Sequence, residues 1–343
     1  MKKWFDRYKD LKIAVFGDYL IDEYLWIDAA LNEPSLETGR IAYQCTGTES
    51  FPGASGTVVK NLANLGIGTV YAVGFMGDDA RGVELCRGLD KLGVNRDNLI
   101  ATPDRITPAH TKPWIIENGQ KTELNRIDIK NWSETPPGVQ DKCLAALRGI
   151  IKEIDALIIL DHWVEENFGL ITDRVRGELM QIAKENPDAI IFADSRARLG
   201  LFDGMILKGN QFEITYAIYG QKDPKAKLAS DPSVERTDHE IQSACEALFK
   251  KTKKPVICTM GEEGALITHD GPAIKVPVLP APGNTDVAGA GDMFSANFIS
   301  ALAAGADLES AGKIGNTAAS LCVQQLGTSG YITTDDIIKG LGL

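Results

Sequence analysis

Asn284-Thr285-Asp286-Val287-Ala288-Gly289-Ala290-Gly291-Asp292-Met293-Phe294 runs from a β-type stretch into a strongly apolar helical one, and its reading decides the fold. Gly289, Ala290 and Gly291 carry almost no side chain, so a ligand can approach their amides closely. At a helix N-terminus such amides lack intrahelical partners, and the macrodipole is positive outward. The combination is a hole for an anion such as phosphate. Asp292 falls in the first turn beside that hole, placed to take a proton from a hydroxyl attacking a phosphorus held by the amides. A plainer account stays open, since acids favour first turns for dipole reasons alone and glycine-rich turns are common. The stretch has neither the Gly-Lys-Ser/Thr of a P-loop nor Gly-x-Gly-x-x-Gly.

Outward from this stretch, short apolar runs alternate with longer helical patterns. Residues 12–16, 69–75, 156–160, 189–194, 205–207 and 255–259 are nearly continuous in apolar residues, as strands buried on both faces of a parallel sheet are. Helix-period stretches lie at 57–65, 80–92, 139–153, 170–184, 238–251, 293–304 and 308–325. This alternation predicts right-handed βαβ units and a doubly wound, largely parallel sheet with helices on both faces. Two stretches break the pattern. Residues 23–50 are mixed and hold no clear helix, while 113–128 carry two β-type segments around Asn118-Gly119, a hairpin signal. These regions are expected to pair into a small accessory sheet, a lid over the strand ends; a pair of surface excursions without a role is the other reading.

The chain has 343 residues, which at about 150 residues per domain means two domains or one large α/β domain with an insertion. Hydrophobic residues at 44% and charged residues at 24% give an ordinary globular composition, which sets aside disordered and fibrous classes. A net charge of −11 argues against coating nucleic acid or an anionic membrane, while leaving room for a small anionic ligand in one pocket. The longest apolar runs, such as 156–160, are too short to span a bilayer. The opening MKKWFDRYKD lacks the apolar stretch of a secretory signal. A cytoplasmic location is expected, with the 6 cysteines as reduced thiols: there is no Cys-x-x-Cys, and the 4 histidines show no metal-ligand spacing.

With these blocks in hand, the chain resembles the ribokinase-like (PfkB) carbohydrate kinase family. The family's C-terminal signature, roughly D-T-x-G-A-G-D, is here Asp286-Val287-Ala288-Gly289-Ala290-Gly291-Asp292. Gly17-Asp18-Tyr19-Leu20-Ile21-Asp22 is similar to its acidic acceptor segment, and Pro52-Gly53-Ala54-Ser55-Gly56 to its Gly-Gly motif. Gly74-Phe75-Met76-Gly77-Asp78-Asp79, Asn210-Gln211-Phe212-Glu213 and Thr259-Met260-Gly261-Glu262-Glu263-Gly264 resemble its V-G-x-x-G-x-D, N-x-x-E and T-x-G-x-x-G blocks. Gly17-Asp18 with Asp22, and Asn125-Arg126-Ile127-Asp128, are most similar to the heptose-7-phosphate kinases of ADP-heptose synthesis.

The resemblance implies an α/β protein of ribokinase-like three-layer α/β/α fold, with a mostly parallel central sheet and a small β lid. It implies one kinase domain over 1–343, with lid segments 23–50 and 113–128 inserted. It implies an ATP-dependent phosphotransferase that moves the γ-phosphoryl group to a hydroxyl of a sugar or sugar phosphate. Asp292 is then the base, and the amides of Gly289, Ala290 and Gly291 hold the transferred group. Asp18, Asp22, Gly53, Ala54, Thr57, Arg126 and Asp161 fall on the acceptor side. Thr259, Gly261, Gly264 and Asn316 line the nucleotide, and Asn210 and Glu213 organise Mg2+ through water. A K+ site beside Val287 and a homodimer through the lid also belong to the family's repertoire. Two residue readings stay open: Asp22 as a turn acid after a strand, and Asn210 with Glu213 as a helix capping box.

The departures from the family cluster in the acceptor half. Ala54 replaces the second glycine, Thr57 stands at the position of a sugar-contacting Asn, and Asp161-His162-Trp163-Val164-Glu165-Glu166 lacks the usual Lys. Putting acids where that Lys would pair a phosphate speaks against a dianionic acceptor. His162 and Trp163 either line the acceptor pocket or pack a strand end. Two rivals remain: a nucleoside kinase of the same fold, and a non-catalytic ligand-binding or scaffold protein that retains the fold. A nicotinamide-type dinucleotide fold is set aside because the turn after the first strand lacks Gly-x-Gly-x-x-Gly.

Overall fold

The computed structural model describes residues 1–220, 236–325 and 330–343. Its centre is a nine-stranded sheet. In spatial order the strands are Ile274–Val276, Ala265–Thr268, Val256–Thr259, Ile206–Asn210, Ile190–Ser195, Ala156–Asp161, Lys12–Gly17, Thr69–Gly77 and Leu99–Thr102. From Val256–Thr259 to Leu99–Thr102 every pairing is parallel, and the two strands at the other edge are antiparallel. All six strand expectations fall on strands of this sheet. Leu99–Thr102, Ala265–Thr268 and Ile274–Val276, at and next to the edges of the sheet, lie outside the predicted runs.

Alternate residues of each strand feed different cores. Ile13 and Val15 pack on one side with Val58, Leu62, Leu85, Phe294, Phe298 and Ile314. Ala14 and Phe16 pack on the other with Val139, Leu147, Val175, Leu179, Ile214 and Ile241. Helices Ser55–Asn64, Ala80–Lys91, Ala290–Ala303 and Leu308–Cys322 therefore cover one face, and Pro137–Ile150, Asp173–Glu185, Gln211–Tyr219 and Asp238–Thr252 the other. This is the three-layer α/β/α arrangement, and burial on both faces explains the continuous apolar runs. All seven expected helices are present; the short Lys2–Phe5, Gln211–Tyr219 and Thr334–Gly340 lie outside the expected stretches.

A second sheet stands apart from the layers. Its strands run Ile127–Ile129, Ala109–Glu117, Tyr19–Asp28 and Cys45–Ala54, with Gln120–Glu123 hairpinned onto Ala109–Glu117. The hairpin turns at Asn118 and Gly119, at φ 50° and 79°, the positive values a two-residue hairpin turn of matching twist demands. The first strand of this sheet begins at Tyr19, earlier than expected, so a single residue, Asp18, joins the central sheet to the small one. Among the described residues no helix is long and apolar enough to cross a membrane.

Candidate active site

The carboxyl ends of the central strands open toward one edge, the place where open α/β sheets hold ligands. Lys12–Gly17 lies between Ala156–Asp161 and Thr69–Gly77, so the strand order reverses beside Asp18. There a cavity of about 570 Å³ is bounded on one side by the small sheet and on the other by the first turn of helix Ala290–Ala303. Asp18, Asp22, Ala54, Thr57 and Arg126 all line it, together with Asp292 and Gly289.

The small sheet aims its residues by register. Asp22 stands opposite His110 and Tyr24 opposite Lys112 on adjacent parallel strands, and alternation puts these side chains on the cavity face. Lys112 Nζ lies 3.0 Å from Asp22 Oδ1, and His110 Nδ1 lies 3.6 Å away. Burial works to raise the Asp22 pKa, but His110 and Lys112 outweigh it, so Asp22 stays below its ordinary value and charged. Asp18 behaves in the opposite way. One oxygen accepts from Leu170 N at 2.7 Å, the other is buried without a partner, and burial pushes its pKa up to about 7. His162, also on the cavity wall, is pushed down to about 4 by burial and by nearby Arg196, so it is neutral.

Ala54 caps helix Ser55–Asn64 at φ 50° and ψ −118°, outside the left-handed helical well, a conformation that suits glycine and strains alanine by about 1–3 kcal/mol. Its backbone turn is the one a Gly-Gly pair would make without strain. Gly53 does not line the cavity. A Cβ there would come within 2.7 Å of Asp22 Oδ2 and 2.5 Å of Leu20 Cδ1, so its part is to leave room for Asp22. Asp161 also departs from expectation. It is buried, accepts from Ser195 Oγ at 2.8 Å, and has Arg176 and Arg198 each 3.9 Å away. Those partners turn its carboxylate into the sheet edge and off the cavity wall.

Beyond the helix turn lies a second cavity of about 610 Å³. Thr259, Gly261, Gly264 and Asn316 line it, with the Val278–Ala281 loop on one side and Ala290, Gly291 and Phe294 on the other. The first turn of helix Ala290–Ala303 therefore divides its residues, Gly289 and Asp292 toward one cavity, Ala290 and Gly291 toward the next. Gly289 adopts φ 78° to start the helix at that junction. Asp292 is partly buried, and burial together with the Asp194 charge raises its pKa to about 6.

Asn210 and Glu213 line neither cavity. Asn210 Oδ1 accepts from Phe212 N and Glu213 N, while Glu213 Oε2 accepts from Asn210 N at 2.7 Å. They form the capping box of helix Gln211–Tyr219, which engages one oxygen of each side chain.

Sequence reasoning passed over Lys112, His110, Trp114, Lys130 and Arg196 on the first cavity's wall, and Asp194 with Lys208 behind it. The alternation of His110, Lys112 and Trp114 within a strand was a usable signal. So was Lys208, a lone charge inside the apolar strand Ile206–Asn210.

A family profile described as pfkB family carbohydrate kinase matches residues 11–335. Bifunctional protein HldE of Bradyrhizobium diazoefficiens is 28% identical over 323 residues, 92% of this chain and 60% of that protein. The chain thus spans about three-fifths of the length of such relatives. Ribokinase from Arabidopsis thaliana, solved with ribose and ATP, superposes with a TM-score of 0.66 at 20% identity, covering 97% of this chain and 99% of its own. Phosphofructokinase-2 from Escherichia coli, solved with fructose-6-phosphate, gives 0.68 at 18% identity, with 97% and 98% covered.

Proposed function

The chain belongs to the pfkB family of carbohydrate kinases, and from that premise we propose that it transfers the γ-phosphoryl group of ATP to a hydroxyl of a sugar or sugar phosphate. The observation that carries the reading is the helix turn shared by two cavities. A nucleotide in the cavity of Thr259, Gly261, Gly264 and Asn316 would present its phosphates to Ala290 and Gly291. An acceptor in the cavity of Asp18, Asp22 and Thr57 would present its hydroxyl to Asp292. Asp292 takes the hydroxyl proton as the oxygen attacks phosphorus, and the first-turn amides hold the charge gathering on the transferred group. ADP leaves with the electron pair of the cleaved anhydride bond.

Two features of the first cavity suit a polyol. Charged Asp22 accepts from adjacent hydroxyls, and Asp18, near neutrality half protonated, donates as well as accepts. Trp114 and Trp163 offer flat apolar faces to a ring. The same aromatic walls favour the nucleoside alternative as a second reading. Magnesium would arrive on the nucleotide phosphates, because no group of three or more His, Cys, Asp or Glu among the described residues is placed to hold a metal. A potassium ion beside the turn at Val287 completes the proposal, and activity in potassium against sodium salts tests it.

The domain reading is of one kinase unit over 1–343, in which the small sheet closes on the acceptor and also offers a homodimer surface. The decisive experiment is ATP consumption with magnesium across hexoses, pentoses, hexose and heptose phosphates, and nucleosides, with Asp292→Asn as the blank. An acceptor that raises wild-type turnover far above the blank fixes class and substrate. Bound ATP with silence across the panel favours the non-catalytic alternative.

A further inference from the structure

Behind the first turn of helix Ala290–Ala303 lies a buried ion pair that the proposed reaction does not yet employ. Lys208 Nζ stands 2.7 Å from Asp194 Oδ2, and the two side chains are 6% and 5% exposed. A Cβ on Gly291 would lie 3.1 Å from Lys208 Nζ, so the ammonium presses against the turn that separates the cavities. The acid of the pair is tied into the same helix. Asp194 Oδ2 is 3.4 Å from Ser295 Oγ, which itself donates to Gly291 O at 2.9 Å.

Folding gives little reason for such a pair. Desolvating two charges costs about as much as their attraction returns, and an apolar pair of the same volume would pack as well. Lys208 is moreover the one charge in a strand that otherwise reads Ile206-Leu207-Gly209-Asn210. Burial opposes its charge, yet Asp194 keeps the ammonium protonated. The arrangement places a fixed positive charge where the proposed reaction gathers negative charge, in surroundings that screen it weakly.

We propose that Lys208, held by Asp194, is a positioning residue of the anion hole: its ammonium acts through the Ala290–Gly291 turn on the phosphoryl group in transfer, without lining either cavity. The inference rests on the phosphotransfer reading, so its test must be able to fail separately. Binding of ADP with magnesium is measured by calorimetry, with and without aluminium fluoride as the mimic of the phosphoryl group. In wild type, fluoride tightens ADP binding. Lys208→Met with Asp194→Asn removes both charges and keeps the volume of the pair nearly unchanged. In that variant ADP alone binds within about threefold of wild type, and the fluoride-dependent tightening falls by about tenfold or more. Lys208→Arg, which keeps the charge, retains most of it. Should the double variant fail to fold, Lys208→Gln, which still offers Asp194 a donor, answers the same question. A folded variant with full tightening overturns the inference. Wild type that binds ADP without any tightening also overturns it, while leaving the nucleotide cavity standing. Wild type that binds no ADP refutes the phosphotransfer reading itself.

Discussion

Replacing Asp292 with asparagine sets stability against turnover, and the structure fixes the sign of both. The carboxyl of Asp292 has a pKa raised to about 6, first by burial and then by the charge of Asp194. In an unfolded chain it would sit near 3.9. The folded state therefore holds the proton more tightly, and its advantage is complete below about pH 4 and lost as pH rises through 6. Moving a carboxyl from about 4 to about 6 corresponds to about 3 kcal/mol, at about 1.36 kcal/mol per pH unit, and water in the cavity reduces this to about 1–3 kcal/mol. The asparagine side chain has nearly the same shape and never ionises. At pH 8 the Asp292→Asn variant is thus about 1–3 kcal/mol more stable than wild type, and roughly half of that gain survives at pH 5. Urea unfolding of both proteins at the two pH values measures it. Wild-type turnover should rise with pH to a plateau just above 6, because the base works only when ionised, and the variant should show none. A variant no more stable than wild type at pH 8 refutes the burial argument. A variant that keeps near-normal turnover refutes the assignment of the base.

Three further outcomes are expected. Asp22→Ala should raise the acceptor KM at least tenfold with the ATP KM little changed, since Asp22, Lys112 and His110 meet only in the first cavity; equal loss on both substrates would contradict that placement. Ala54→Gly should stabilise the fold by about 1 kcal/mol, the relief of an alanine held at positive φ less the entropy that glycine adds to the unfolded chain; a lower unfolding midpoint would argue against strain there. Saturating acceptor and nucleotide should slow amide exchange in 23–50 and 113–128 if the small sheet closes, as kinase lids do, and unchanged protection would leave it a fixed wall.

Much of the fold was legible because it rests on patterns with one physical cause. Continuous apolar runs such as 156–160 follow from burial on both faces, and Asn118-Gly119 can hardly be anything but a tight turn. The glycine-rich helix start was legible as a helix start, since Gly289 takes φ 78° at the N-cap of Ala290–Ala303, a value that suits glycine. Asp161 and Gly53 were misplaced because sequence order shows that a residue ends a strand and not which way its side chain turns. Arg176 and Arg198, distant in sequence, decide that for Asp161. Asn210 and Glu213 show a different ambiguity: the spacing that suits organising a hydrated metal is also the spacing of a capping box, and one pair of side chains can serve both.

The departures from the family pattern and the architecture fit one explanation. The groups read as transferring phosphate hang on the central layers: Asp292 and the amides on a helix packed against the sheet, Lys208 and Asp194 on two of its parallel strands. The groups read as gripping the acceptor come largely from the small sheet and the turn that leaves it, at Asp22, Lys112, Arg126 and Ala54. Asp18, the turn at Ala54 and the contacts of helices Ser55–Asn64 and Ala80–Lys91 join the two. A substitution on the small sheet can therefore reshape the acceptor cavity without disturbing the first turn of helix Ala290–Ala303. A lost hydrogen bond to a buried partner in the acceptor cavity is worth about 1–3 kcal/mol, enough to exchange one acceptor for another. On this division, changes in the small sheet should alter which acceptor is used, while changes at Asp292 or the Lys208 pair should lower turnover with every acceptor alike.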